Sequence, residues 1–515
     1  MMRCAVLLLG FAWSQTVPKE EDLKRYKKML DPAAAPAKRI EAAKNVAFYD
    51  SEPTTRLLIG ALTAEVARAD ELAAKRADVD QQLERALRGQ IEKGGAHAKP
   101  NYTGIEELQL QQKRCGAAVA ESESVIRAYV AALGGLKHES SIDYLLGLPG
   151  KKSPRVKLLV LEALGSIDNG KVAEALITLL ADDSYDLRVT AAAALLKQKP
   201  EFVPASAFAP LLRSEQWPER ALAIDALAHI GGFEAMNLLI QQTVKEKGKT
   251  LQDLCGRLEQ LTAQKFGPVP PAWVDWWKAN QSKFPAKGID VSSPVEVKVS
   301  KVDGVYGSSS CWGVQFTSLR VVYVIDISGS MQAAIDDFEN IHPEPGKSRF
   351  DLVRREVKSS IQGLAPDATF NVIAYSDVVI PWNEGNVVAS NDNKKKAFEW
   401  LDGLASVGQT NIADALESAF HLSPAKEDGK TRASVTGGGK SLGPPPVADT
   451  LLFMSDGGPT CGRTTDCEEI LKLVKEWNAT RHITIHAIGI GKQVVQVFLA
   501  RLAKENGGQY LAIEK

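Results

Sequence analysis

The chain has 515 residues, which at roughly 100–200 residues per domain predicts two to four domains and excludes a single small module. Its 62 Lys and Arg residues against 63 Asp and Glu leave a formal charge of −1, without the basic surplus of a nucleic-acid-binding protein. An apolar fraction of 44% and a charged fraction of 24% suit ordinary buried cores and argue against global disorder.

Residues 1–14 read as a signal peptide. Arg3 supplies the positive charge, Cys4 to Trp13 form a short apolar run, and Ala12-Trp13-Ser14 fits a small-x-small cleavage site. The run is too short to span a bilayer as a helix, and no later stretch of 18 apolar residues follows. The expectation is an exported protein, periplasmic or extracellular, with no integral membrane segment after cleavage.

Residues 20–284 read as helical and repetitive. The segments Val125–Gly134 and Val156–Gly165 resemble each other, and later copies end at Ala194-Leu195 and Ala226-Leu227. The marker leucines Leu133, Leu164, Leu195 and Leu227 are spaced 31, 31 and 32 residues apart. Each copy pairs an alanine-rich helix with a second apolar helix, such as Ala173–Leu180 or Ala235–Ile240. One such pair cannot bury both apolar faces, so neighbours must stack into an alpha solenoid. The pattern resembles HEAT-type repeats, with a diverged early copy at Lys38–Ala64 carrying Val46 in the marker position. Residues 65–121 read as a helical-hairpin insertion. In it Leu72, Val79, Leu83, Leu87 and Ile91 share one helical face, Gly94-Gly95 forms the turn, and Ile105–Ala120 returns. That hairpin either packs on the solenoid, the favoured reading, or protrudes toward a partner. Residues 251–284, with Trp273, Trp276 and Trp277 after Pro270-Pro271, read as a cap on the stack rather than an exposed platform.

A linker at 285–318, with a short strand at Val295–Val299, leads to a C-terminal domain at 319–515. There Val321–Asp326, Thr369–Tyr375, Leu451–Ser455, Ile483–Ile490 and Tyr510–Ile513 read as strands. Phe350–Leu364, Lys394–Leu404, Ile412–Phe420, Glu468–Asn478 and Val494–Asn506 read as helices between them. The alternation predicts a doubly wound, Rossmann-like α/β domain, whose ligand site lies beyond the carboxyl ends of the strands.

Three polar clusters fall at those ends: Asp326-Ile327-Ser328-Gly329-Ser330, Gly408-Gln409-Thr410-Asn411, and Ser455-Asp456-Gly457-Gly458. Asp326, Ser328, Ser330, Thr410 and Asp456 bring hydroxyl and carboxylate oxygens that suit a hard divalent cation, Mg²⁺ before Mn²⁺ or Ca²⁺. Magnesium favours octahedral coordination and keeps waters, so one position remains exchangeable.

The pattern Asp-x-Ser-x-Ser, then Thr, then Asp, in this strand-and-helix context, resembles the metal-ion-dependent adhesion site of the von Willebrand factor A domain family. The resemblance covers about residues 319–515. It implies that Ser328 and Ser330 ligate the metal directly and that Thr410, Asp326 and Asp456 complete the set. It also implies a non-enzymatic protein that captures an exposed Asp or Glu of a protein partner. The whole arrangement is similar to uncharacterised exported bacterial proteins that join HEAT repeats to this domain. Two other readings stand beside this one: a purely structural metal with the solenoid as binding surface, or an accessory subunit of an ATP-driven or metal-handling assembly.

Of the five cysteines after Cys4, only Cys461 and Cys467 are close in sequence, and in an oxidising compartment they would close a small loop beside Asp456. Gly439-Lys440-Ser441 lacks the earlier glycine and the helix of a phosphate-binding loop. His482 and His486 alternate with apolar residues and read as core. No catalytic constellation is present, and no enzymatic activity is expected.

Overall fold

The computed structural model describes residues 18–91, 102–148, 153–284, 309–334, 346–422, 447–491 and 495–514. The signal-like segment, Gly94-Gly95, the Val295–Val299 strand and most of the loops at 332–348 and 421–448 fall outside the described residues.

Among the described residues the N-terminal region holds helices and no strands. Its helices are α1 (Glu20–Met29), α2 (Pro36–Ala47), α3 (Glu52–Ile91), α4 (Tyr102–Gly134), α5 (Glu139–Leu146), α6 (Pro154–Gly165), α7 (Gly170–Leu179), α8 (Tyr185–Leu195), α9 (Trp217–Ile230), α10 (Gly232–Thr243), α11 (Gly248–Thr262) and α12 (Pro270–Asn280). The marker leucines end α6, α8 and their counterparts, and all four are buried in one continuous core. Between α8 and α9 the expected second helix is replaced by three short 3₁₀ turns, at Pro200–Phe202, Ala205–Phe208 and Leu211–Arg213. Pro200, Pro204 and Pro210 interrupt any longer ladder there, since each lacks a backbone donor.

The glycine after a marker leucine has a packing reason. A methyl on Gly165 would sit 2.7 Å from Ala194 Cβ and 2.8 Å from its Cα, so α6 and α8 touch backbone to side chain. We therefore expect Gly165→Val to force these helices apart at a cost of about 1–3 kcal/mol. Thermal melting of the full chain followed by circular dichroism checks this; an unchanged melt would mean the contact is dispensable.

At the far end, Trp273, Trp276 and Trp277 are all buried, with Phe266 and Phe284 packed edge-on against them. The Trp273 indole N–H donates to Gly267 O at 2.8 Å. The cluster closes the stack and offers no exposed platform.

The hairpin differs from the expected insertion at 65–121. Helix α3 already begins at Glu52 and α4 runs on to Gly134, so the hairpin is the continuation of two repeat helices rather than a separate unit between them. No proline or glycine pair breaks the apolar periodicity at either junction. Nor do the turns around Leu83 pack into the solenoid core. Leu83 is fully buried in the core of the C-terminal domain, with Ile105 and Leu108 packed beside it.

The C-terminal region opens with a two-stranded antiparallel hairpin, β1 (Ser309–Cys311) and β2 (Val314–Phe316). The order then runs β3 (Arg320–Asp326), α13 (Arg349–Gln362), β4 (Thr369–Tyr375), β5 (Val379–Pro381), β6 (Val387–Val388), α14 (Asn391–Asp402), α15 (Ile412–Phe420), β7 (Thr450–Ser455), α16 (Cys467–Asn478), β8 (Thr484–Ile490), α17 (Gln496–Glu505) and β9 (Tyr510–Ile513). The sheet order is β5-β4-β3-β7-β8-β9, with β6 also on β4; β4, β3, β7, β8 and β9 are parallel and β5 and β6 antiparallel. Side chains alternate across β3: Val321, Tyr323 and Ile325 face the layer of α13 and α14, while Val322 and Val324 face α15, α16 and α17. Both faces are covered, which is why the strand reads as an unbroken apolar run.

Candidate metal-ion edge

Strand β3 has the β4 crossover on one side and β7 on the other, so the sheet switches direction between β3 and β7. Asp326 ends β3 and Asp456 directly follows β7, which puts both carboxylates in that crevice.

The first cluster folds over its own carboxylate. Asp326 Oδ1 accepts the Ser328 backbone N–H at 2.8 Å, and Oδ2 accepts the Ser455 hydroxyl at 2.8 Å. Ser328 Oγ and Ser330 Oγ are 3.0 Å apart, and Ser330 Oγ donates to Asp456 Oδ1 at 2.8 Å. Four of the five expected oxygen-bearing side chains therefore form one connected patch. Thr410 lies on the adjoining loop. Gly329 N–H donates to Gly408 O at 2.9 Å. Thr410 O accepts the Thr460 N–H at 2.9 Å, and the Thr460 hydroxyl accepts the Thr410 N–H at 2.8 Å. Gly408 has φ +83°, and a methyl there would lie 1.8 Å from Asp377 Oδ2, so only glycine fits the turn into Thr410.

Asp326, Ser328 and Asp456 are buried, and Ser330 is partly open. Burial, and after it the neighbouring Asp456 charge, push the Asp326 carboxyl well above the usual carboxylate range. Two buried acids this close call for positive charge. Part of it comes from Arg349, 1% exposed at the side chain, whose Nη1 donates to Asp456 Oδ2 at 2.8 Å. Arg349 belongs to none of the three polar clusters of the sequence. A signal was available: it is the first residue of α13, behind a Ser348–Asp351 capping box, and a cation in the first turn opposes the helix dipole. Such a placement calls for a carboxylate partner elsewhere.

Among the described residues no group of three or more His, Cys, Asp or Glu side chains is arranged to hold a metal ion. The edge instead combines two carboxylates with hydroxyls, a donor set that suits a hard cation. By donor chemistry the hydroxyls and carboxylates of Ser328, Ser330, Thr410, Asp326 and Asp456 could hold a hard divalent cation.

Cys461 and Cys467 are free thiols in the structure, as are Cys115, Cys255 and Cys311, so the expected bridge beside Asp456 is not formed. Cys461 N–H is tied to Thr410 O at 3.3 Å, while Cys467 starts α16 behind its cap Asp466. His486 is core, accepting the Gln509 N–H at 3.1 Å. His482 lies outside the strand at φ +54°, with Nδ1 3.4 Å from Asp225 of the solenoid.

Residues 319–512 match the von Willebrand factor type A domain, and residues 116–197 match HEAT repeats. Over 191 residues the chain is 30% identical to human inter-alpha-trypsin inhibitor heavy chain H4, covering 37% of this chain and 17% of that protein. Over 190 residues it is 27% identical to human heavy chain H2, again 37% of this chain and 17% of that one. The chain thus spans about a sixth of the length of these curated relatives. Among solved structures, a von Willebrand factor type A protein from Catenulispora acidiphila is 18% identical, with a TM-score of 0.29 over 39% of this chain and 40% of that one. Proximal thread matrix protein 1 from the mussel byssus, with a zinc-occupied metal-ion-dependent adhesion site, is 18% identical, with a TM-score of 0.27 over 38% of this chain and 43% of that one.

Proposed function

We propose that this chain, whose residues 319–512 form a von Willebrand factor type A domain behind a HEAT-repeat solenoid, is a non-enzymatic, divalent-cation-dependent protein-binding protein. Asp326, Ser328, Ser330, Thr410 and Asp456 hold the ion, Mg²⁺ by preference. An exposed Asp or Glu of a partner protein fills the exchangeable position. The reading includes export through residues 1–14, so that the partner is met outside the cytoplasm. Among the described residues no helix is long and apolar enough to cross a membrane.

The observation that carries this reading is the charge at the edge. Holding a cation would ionise Asp326 beside Asp456, bringing two negative charges, and the buried Arg349 returns one positive charge. A divalent ion on this set leaves a net charge of about +1 in a site shielded from water, where electrostatic attraction is strongest. An acidic side chain neutralises that remainder. The ion supplies Lewis acidity toward the incoming carboxylate, and the chain's own groups orient it: Ser455 and the Ser328 amide fix Asp326, and Arg349 fixes Asp456.

The test is partner capture by the full chain in Mg²⁺ and in EDTA, with Ser328→Ala alongside and the metal titrated separately by calorimetry. We expect capture to require the ion and to disappear in Ser328→Ala. Capture that survives chelation, with only the melting temperature falling, would leave the metal structural and move recognition to the solenoid.

A further inference from the structure

Helices α3 and α4 of the hairpin pack beside the loop that carries Thr410. On one side of Thr410, the Gln409 N–H donates to Asp377 Oδ2 at 2.9 Å, and Gln109 Nε2 of α4 donates to Asp377 Oδ1 at 2.5 Å. Asp377 is buried, so its carboxylate ties the hairpin to the loop away from bulk water. On the other side, the Asn411 amide donates to Asp377 O at 3.2 Å and to Asp414 Oδ2 at 2.8 Å. Asp414 is also paired with Arg76 of α3. Arg76 and Arg463 share the carboxylates of half-buried Asp414 and buried Glu417, and Asp80 of α3 joins them through Arg76. The backbones also meet: a methyl on Gly116 of α4 would lie 2.7 Å from Arg463 Cα, in the loop whose Cys461 N–H binds Thr410 O.

Two chains of contacts therefore run from the solenoid to the two neighbours of Thr410. One passes from Gln109 through Asp377 to Gln409, the other from Arg76 through Asp414 to Asn411. We propose that Gln109 and Arg76 are positioning residues for the metal-ion edge, so that docking of the α3–α4 hairpin sets the affinity of the C-terminal domain for its cation. This rests on the metal-binding reading above. Neither residue touches the ion set; each acts by fixing the backbone that presents Thr410. Coupling between two sites is reciprocal, so an ion held at Thr410 must in turn tighten the hairpin.

The experiment uses the full chain and Mn²⁺ as the probe. Groups that orient metal ligands are typically worth about 10–100-fold in metal affinity, so we expect Gln109→Ala and Arg76→Ala each to weaken Mn²⁺ binding about tenfold. Glu71→Ala, on the exposed Glu71–Lys75 pair of α3, is the control and leaves affinity unchanged. The double change Gln109→Ala with Asp377→Asn should cost clearly less than the sum of the single changes. In the wild type, Mn²⁺ should slow amide hydrogen exchange in α3 and α4, a response that Gln109→Ala abolishes even where the variant keeps its melting temperature. If the wild type takes up no Mn²⁺, both the metal reading and this proposal fall. If it takes up Mn²⁺ but the variants match the wild type within twofold and exchange in the hairpin does not respond, the coupling alone falls.

Discussion

Arg349→Met is expected to lower the melting temperature of the metal-free chain by roughly 6–20 °C. The side chain is 1% exposed and its partner Asp456 is fully buried, so removing the guanidinium strands a carboxylate without solvent. Breaking a buried pair from one side costs about 3–5 kcal/mol, and each kcal/mol moves the transition of a domain of this size by about 2–4 °C. The distinctive part of the prediction is its dependence on the ion. A divalent cation on Asp456 replaces the lost positive charge, so saturating Mg²⁺ should recover much of the loss in the variant and add less to the wild type. Differential scanning calorimetry with and without EDTA checks both halves. A variant equally destabilised in both buffers would mean that Arg349 serves packing rather than the charge of the edge.

Asp456→Asn is expected to weaken metal binding by more than about 100-fold, beyond the range seen when only a supporting group is lost. The amide keeps the shape but removes the charge, and it leaves Arg349 facing a neutral partner. A buried guanidinium whose charge Asp456 no longer balances then repels the cation as well. Calorimetric titration with Mn²⁺ reads the affinity directly. Partner capture in Mg²⁺ should fall to the level of the wild type in EDTA. Retained tight binding would exclude Asp456 from the ion set.

The parallel strands of the C-terminal sheet and their helices could be read from the chain, because each is a long apolar run with capping and turn residues at its ends. Strands β5 and β6 could not. Val379–Pro381 is three residues ending in proline, Val387-Val388 is two, and both are placed by their pairing with β4 rather than by any local preference. The same division runs through the edge. Asp326, Ser328 and Ser330 are spaced within one turn, and Thr410 and Asp456 stand at element ends where site residues are expected. Arg349 and Asp377 act from positions whose meaning depends on what lies across the crevice. Gln109 sits some 300 residues from Thr410 along the chain, and nothing in its local sequence marks it. The hairpin itself was visible as amphipathic helices, but its docking on the C-terminal domain rests on Leu83 and Arg76 meeting groups that periodicity does not name.

That docking imposes an order on biosynthesis. Leu83 shares a core with strand residues as late as Ile488 and Ile490, about 400 residues further along the chain. At about 5–20 residues per second, the hairpin emerges roughly 20–80 s before its resting place exists. The solenoid can assemble repeat by repeat in that interval, since each repeat needs only its neighbour. The hairpin cannot finish. Leu83 and the α4 residues beside it stay wet until the last parallel strands are in register, which leaves an apolar patch of the hairpin open to chaperones throughout that interval.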